Sequence, residues 1–294
     1  MNSDPGKREQ SLKYDYEFDL EGDSVAANVV RMVRHGCTLL DIGAGPGSIT
    51  KELMQWRNCR ITALDIDHRN VERLAEFCHA AYQVDLNDPN WPKALKRDDK
   101  FDAVVATDVL EHLWDPWQTL SLMCRLINDD GEVIVSLPHV GHCVITACII
   151  NGDFDYRDDG LLDRTHIRFF GLKNIQSLIN DAGLNIVDAQ FVVRVPESTE
   201  LFDQWSRLSR DAQQFLSSRK YANVYQVVLK AKNKIREAKN IDLESMGLEE
   251  PNVSPVIRLM PGLHFWMRRQ ARSLLSVESR RNLRRLALRL GIRY

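Results

Sequence analysis

Short runs of apolar and β-branched residues alternate with amphipathic stretches from about residue 24 onward. CTLLDI reads as a first strand, followed by a helical pattern over residues 48–56. RITALDI and a helix over 68–79 come next, then AYQVD and the polar loop LNDPNWPKALKRDD. FDAVVAT, a helix over 117–127 and GEVIVSLP continue the alternation. A helix over 172–182 stops at Gly183, a residue suited to a C-cap. LNIVDAQFVV makes a sixth strand, and ANVYQVVLKA a seventh after a helical stretch around 201–215. Such alternation builds βαβ units, so the expected fold class is α/β, a mostly parallel sheet with helices on both faces.

Beyond residue 233 the pattern changes. NIDLESMGLEEPNVSP within residues 234–254 reads as a linker, and residues 255–294 as a basic amphipathic helical tail. That tail holds ten arginines and one acid, so its +9 leaves −11 on residues 1–254 of a chain with net charge −2. An acidic body with a basic tail implies a separate partner for the tail. An anionic membrane surface, an acidic protein face and nucleic acid are the three candidates. Phe265, Trp266 and the leucines favour membrane or protein over nucleic acid. Residues 1–20 lack an apolar export segment and read as a flexible lead-in. VITACII, the most apolar run, is too short to span a bilayer, so the cytoplasm is the expected location, with the tail at the inner membrane surface. The six cysteines are scattered without a CxxC pair; they read as reduced core thiols, and no metal site is expected.

The chemistry concentrates in LLDIGAGPGSIT. No Lys-Ser/Thr follows the glycines, which excludes a P-loop. The spacing is GxGxG, with Ser48 where a dinucleotide fingerprint has its third glycine. Asp41, two residues before Gly43, repels a pyrophosphate and suits a cation. Asp65 closes the second strand, 22 residues past Gly43, where an acid binds ribose hydroxyls. Asp85 ends the third apolar run and offers an acceptor to an adenine amino group. Three carboxylates at three strand ends suit an adenosine that carries an ammonium and a sulfonium.

These residues resemble the class I S-adenosylmethionine-dependent methyltransferases. LLDIGAGPG looks like the family's first motif, with Asp41, Gly43, Ala44, Gly45 and Gly47 against the cofactor. ALDID is similar to the second, with Asp65 on the ribose and Ile66 beside it. VDLND resembles the adenine-side segment, through Asp85 and Leu86. FDAVVATDVLEHLWDP looks like the segment in which Asp108, Val109 and Glu111 border the methionine end. GLLDRTHIRFF resembles the signature of a bacterial subgroup tied to polysaccharide and cell-surface glycan pathways. Gly171 departs from that subgroup's threonine and weakens a helix cap. The resemblance covers about residues 15–233; residues 21–233 are the expected catalytic domain. It implies a Rossmann-like, seven-stranded sheet with an antiparallel last strand, S-adenosyl-L-methionine as cofactor, and methyl transfer to a small molecule or glycan.

A sulfonium methyl is already activated, so positioning supplies much of the rate. A hydroxyl acceptor gains from a general base. His112, His139 and His166 lie after the fourth strand, after the fifth, and in the following DRTH segment. All three are candidate bases. Asp163 is a candidate orienter of His166, and Arg164 a candidate ligand for an anionic acceptor group. TDVL stands where nucleobase amino-methyltransferases carry an N/DPPY motif, and no Pro-Cys pair occurs. The first absence argues against methylation of a nucleobase amine, the second against covalent attack of a cysteine on a pyrimidine. RNA or protein methylation, and a scaffold without catalysis, are the rival readings.

Overall fold

The computed structural model describes residues 18–96, 99–235 and 239–248. The basic tail, and most of the N-terminal segment read as flexible, lie outside the described residues. The chain forms a seven-stranded sheet of order β3-β2-β1-β4-β5-β7-β6. The strands are β1 (Thr38–Ile42), β2 (Arg60–Asp65), β3 (Ala80–Gln83), β4 (Phe101–Thr107), β5 (Ile127–Pro138), β6 (Leu184–Val193) and β7 (Val224–Asn233). The first five run parallel, whereas β7 is antiparallel to both β5 and β6. This matches the expected architecture.

Both faces of the sheet are covered, because apolar residues occupy consecutive positions. Leu40, Val104 and Val135 point to one face, beneath α4 (Pro116–Cys124) and α6 (Leu172–Asp181). Leu39, Val105 and Ile134 point to the other, beneath α1 (Val25–Met32) and α2 (Ser48–Arg57). The short α3 (His68–Ala75) joins β2 to β3. α1 precedes the first expected strand and was not expected; the Ser24 hydroxyl caps it by accepting from the Ala27 N–H at 3.2 Å. The fifth strand begins at Ile127, earlier than expected, since a register shift in its pairing with β4 extends it.

A third departure matters more. VITACII lies in a helix, α5 (Cys143–Ile150), buried over most of its length but exposed at Ile149 and Ile150, whose N-cap His142 accepts from the Val144 N–H. The helix expected around 201–215 is two short ones, α7 (Phe202–Ser206) and α8 (Arg210–Ser217). Together α5, α7 and α8 form a third apolar cluster around Cys148, Leu162, Leu201 and Trp205. The cluster anchors residues 151–171, which cross toward the carboxyl ends of the parallel strands. Gly160 holds φ +90° there, and a Cβ at that position would lie 2.2 Å from the Glu200 carboxylate. Glu200 in turn accepts from the Leu161 N–H at 2.6 Å and the Tyr225 hydroxyl at 2.8 Å. Residues 239–248, inside the stretch read as a linker, lie against the sheet edge: the Ile241 N–H donates to the Ile186 carbonyl, and Leu243 is fully buried.

Gly160→Ala combines a left-handed backbone with a steric clash. It is expected to destabilise the fold by about 2–4 kcal/mol in urea unfolding at neutral pH.

Candidate functional site

Chain order reverses beside β1: the chain winds outward to β3 and then crosses back to place β4 on β1's other side. Open α/β sheets bind ligands in the crevice at such a switch, beyond the carboxyl ends of the strands. The glycine loop and the 108–112 turn meet there. A Cβ on Gly43 (φ +66°) would fall 2.6 Å from Val109 Cγ2, so only glycine lets the two segments touch. Gly45 faces open space.

Three of the loop's donors are already committed. The Ala44 N–H bonds the Leu64 carbonyl at 3.0 Å, and the Gly47 N–H the Ala44 carbonyl at 3.1 Å. The Gly45 N–H bonds Asp65 Oδ2 at 2.7 Å, and Pro46 has no N–H. A phosphate-binding loop turns such donors toward its ligand; this one spends those of Ala44 and Gly45 on β2 and that of Gly47 within the loop. The geometry therefore agrees with the sequence argument against a phosphate or pyrophosphate. Asp65 Oδ1 also accepts from the Asp67 N–H at 2.8 Å and from Asn70 at 3.0 Å, which fixes the carboxylate at the crevice end of β2. Ile66, next to it, is 62% exposed and offers an apolar face. Asp85 lies exposed after β3 in a turn that the Asn87 N–H closes at 2.9 Å; Leu86, half-buried, accepts from Thr119.

Asp41 is buried, and its Oδ2 accepts from the Thr50 hydroxyl at 2.6 Å. Burial pushes its carboxyl up to about 7; the Thr50 bond opposes this shift and the neighbouring Asp65 charge adds to it. Asp108 takes up φ +53°, an uncommon conformation for a residue with a side chain. Its carboxyl accepts from Ser136 of β5 and from Gln226 of β7 at 3.0 Å. Burial raises its pKa too.

The three candidate histidines separate into two groups. His139 is buried, bonded through Nδ1 to the Val224 carbonyl at 3.1 Å, and burial lowers its pKa. It stands at the entry to α5, apart from the other two. His112 and His166 meet, with ring centroids 4.8 Å apart. Segment 151–171 makes this possible: the Ile167 and Arg168 N–H groups both bond the Glu111 carbonyl at 3.0 Å. Asp163 is buried and accepts from the Thr165 N–H and hydroxyl at 2.9 and 2.6 Å, shaping the turn that presents His166. Arg164 points outward, its side chain 66% exposed and ion-paired with Asp158.

Glu111 is what the sequence reading undervalued. It is fully buried, and neither carboxylate oxygen has a hydrogen-bond partner. His166 Nε2 stands 3.9 Å from its Oε1. Burial, followed by the nearby Asp108 and Asp163 charges, drives its pKa well above the usual carboxylate range. Although no metal site was expected, Glu111, His112 and His166 each offer a ligand atom, all within 4.8 Å of one another. LEHL alone carries no such signal, because His166 arrives from 54 residues downstream.

Exposed aromatic residues lie on the two segments that carry this cluster. Phe154 packs edge-on against Tyr156 and Phe169, and Arg168 lies over the Trp117 ring and bonds the Trp114 carbonyl. No helix among the described residues is long and apolar enough to cross a membrane.

Comparison with known proteins places the chain. A mitochondrial ubiquinone biosynthesis O-methyltransferase of Dictyostelium discoideum is 22% identical over 191 residues, covering 60% of this chain and 59% of that protein. A ubiquinone biosynthesis O-methyltransferase of Caulobacter vibrioides is 32% identical over 133 residues, covering 44% and 48%. The 27-O-demethylrifamycin SV methyltransferase of Amycolatopsis mediterranei is 24% identical, covering 60% and 61%. The chain thus spans about three fifths or less of the length of these relatives. Among solved structures, a candidate methyltransferase of Bacillus halodurans superposes with a TM-score of 0.52 at 14% identity, covering 72% of this chain and 99% of that one. The (4+2)-cyclase SpnF superposes at 0.50 with 17% identity, covering 76% and 90%. These two likenesses show the fold alone. A family model described as a methyltransferase domain matches residues 19–189, and the chain belongs to that family.

Proposed function

We propose that this protein transfers the methyl group of S-adenosyl-L-methionine to oxygen on a small-molecule or glycan acceptor. The observation that carries the reading is the crevice at the β1–β4 switch. Its glycine loop offers no free phosphate cradle, an open face at Gly45 and flanking carboxylates at Asp41 and Asp65. Asp65 takes the ribose hydroxyls, and Ile66 and Leu86 lie along the adenine with Asp85 at its amino edge. Asp41 and Asp108 sit toward the positively charged methionine end, and Gly43 with Val109 forms the floor.

Methyl transfer needs the acceptor oxygen in line with the S–CH3 bond and water excluded. The 151–171 segment, tied to Glu111 by two backbone hydrogen bonds, brings His166 over the same crevice. Its cluster with Glu111 and His112 is the place where the acceptor hydroxyl is activated. Oxygen as the methylated atom is supported by the O-methyltransferases among the relatives. A glycan acceptor is supported by the DRTHIRFF resemblance and by the exposed aromatic residues Trp114, Trp117, Phe154, Tyr156 and Phe169, whose flat faces suit the C–H face of a sugar ring. The basic tail, outside the described residues, is assigned to a membrane surface or protein partner near that acceptor, on the cytoplasmic side. His139 is assigned a structural role.

Titration calorimetry with S-adenosylhomocysteine is expected to show one site per chain, with affinity reduced at least tenfold in Asp65→Ala. Absence of binding would remove the enzyme reading and leave the scaffold. Labelled-methyl transfer into cell-envelope glycans, with none into RNA, is the expected acceptor result.

Asp41 makes a second, opposed pair of outcomes. Its folded pKa of about 7 exceeds the unfolded value, so the native state holds the extra proton between roughly pH 4 and 7. Stability from this group is therefore present at low pH and lost as pH rises through 7, by about 4 kcal/mol at most. Asp41→Asn is expected to raise the melting temperature of the unliganded protein at pH 8, to leave it nearly unchanged at pH 4, and to weaken cofactor binding.

A further inference from the structure

The cluster formed by Glu111, His112 and His166 has the composition and placement of a metal centre. Two imidazoles and a carboxylate are the ligands of the two-histidine, one-carboxylate sites that hold divalent transition metals. Metal-bound histidines hydrogen-bond through their other ring nitrogen, which fixes the tautomer and aims the ligand. Both histidines here do so. His112 Nδ1 bonds the Thr165 carbonyl at 3.1 Å, and His166 Nδ1 bonds the Leu161 carbonyl at 3.3 Å. With Nδ1–H donated to a carbonyl, the lone pair in each ring belongs to Nε2.

Glu111 supplies an independent observation. A fully buried carboxylate with neither oxygen bonded is costly in either protonation state, since a buried acid also needs a partner for its polar atoms. A cation beside it would remove that cost. Metal–nitrogen and metal–oxygen bonds of about 2.0–2.2 Å place ligand atoms roughly 3–4 Å apart. The three ligand atoms here already lie within 4.8 Å, and His166 Nε2 to Glu111 Oε1 is 3.9 Å. Closing the site needs movements under about 1 Å. The two elements that carry the ligands are joined by the paired bonds from Ile167 and Arg168 to Glu111, so the site is held together before any ion binds.

We propose that Glu111, His112 and His166 bind one divalent first-row transition-metal ion at the acceptor side of the crevice. Resting on the methyl-transfer reading above, the ion would serve as a Lewis acid for the acceptor. Bound to it, the acceptor hydroxyl gives up its proton to solvent. The oxygen then uses a lone pair to form the O–CH3 bond as the S–CH3 bond breaks, and sulfur leaves with the bonding pair as a neutral thioether. Both histidines act as ligands in this scheme, and neither needs to be the base.

The test uses the full chain, stripped with a chelator and titrated with Co2+ alone, read by visible absorption and calorimetry. Wild-type protein is expected to bind one Co2+, with ligand-field bands that report nitrogen and oxygen donors. Glu111→Gln and His166→Gln are each expected to weaken binding at least tenfold, and Asp158→Asn to leave it unchanged. Glu111→Gln is nearly isosteric, and its fold is checked by thermal melting in chelator. A wild-type protein that binds none of Co2+, Zn2+ or Mn2+ stoichiometrically overturns the proposal, as does binding that survives both glutamine variants unchanged. S-adenosylhomocysteine affinity is measured on the same samples. Wild-type protein that binds S-adenosylhomocysteine but no metal overturns this inference alone; loss of cofactor binding in the wild-type protein overturns the methyl-transfer reading.

Discussion

The close approach of the glycine loop to the 108–112 turn is the constraint on which the rest of the site depends. Val109 occupies the space that any side chain at residue 43 would fill. That contact brings together the ends of β1 and β4, the strands flanking the switch in chain order. Asp108 is forced into a left-handed conformation at the same point, and Ser136 and Gln226 hold it there. Strain of this kind persists where surrounding structure over-determines a residue. Here two neighbouring strands do so, because the carboxyl of Asp108 reaches β5 and β7.

From that turn the chain immediately forms a single helical turn, Leu110–His112, which buries Glu111 and turns His112 toward residues 151–171. The segment's position follows from the third apolar cluster. Leu161 and Leu162 are buried beside α5 and α7, and Glu200 receives the Leu161 N–H. His166 then has little freedom, fixed from one side by the Asp163–Thr165 turn and from the other by the bonds to Glu111. A rigid cover of this sort suits chemistry that depends on positioning.

The fold by itself does not select the reaction. A cyclase and a candidate methyltransferase superpose on this chain about equally well. What distinguishes this site is the inward turn of the Ala44, Gly45 and Gly47 N–H groups, the acids at successive strand ends, and the exposed Ile66 beside Asp65.

Much of this was legible in the sequence, for local reasons. Strand–helix alternation, the GxGxG spacing and the acids at strand ends are short-range patterns, and each was fixed by residues within about one element of each other. The seven strands, the parallel core and the places of Asp41, Asp65 and Asp85 followed from them. α5 was not legible, because an apolar run of its length is compatible with either a buried strand or a buried helix. Nor was the pairing of His112 with His166, or the exile of His139 to a structural bond with Val224. Position after a strand or in the covering segment made candidates of all three histidines. Only the packing of 151–171 over the strand ends separated them, since burial and contact across more than 50 residues are properties of the assembled core and not of any one segment.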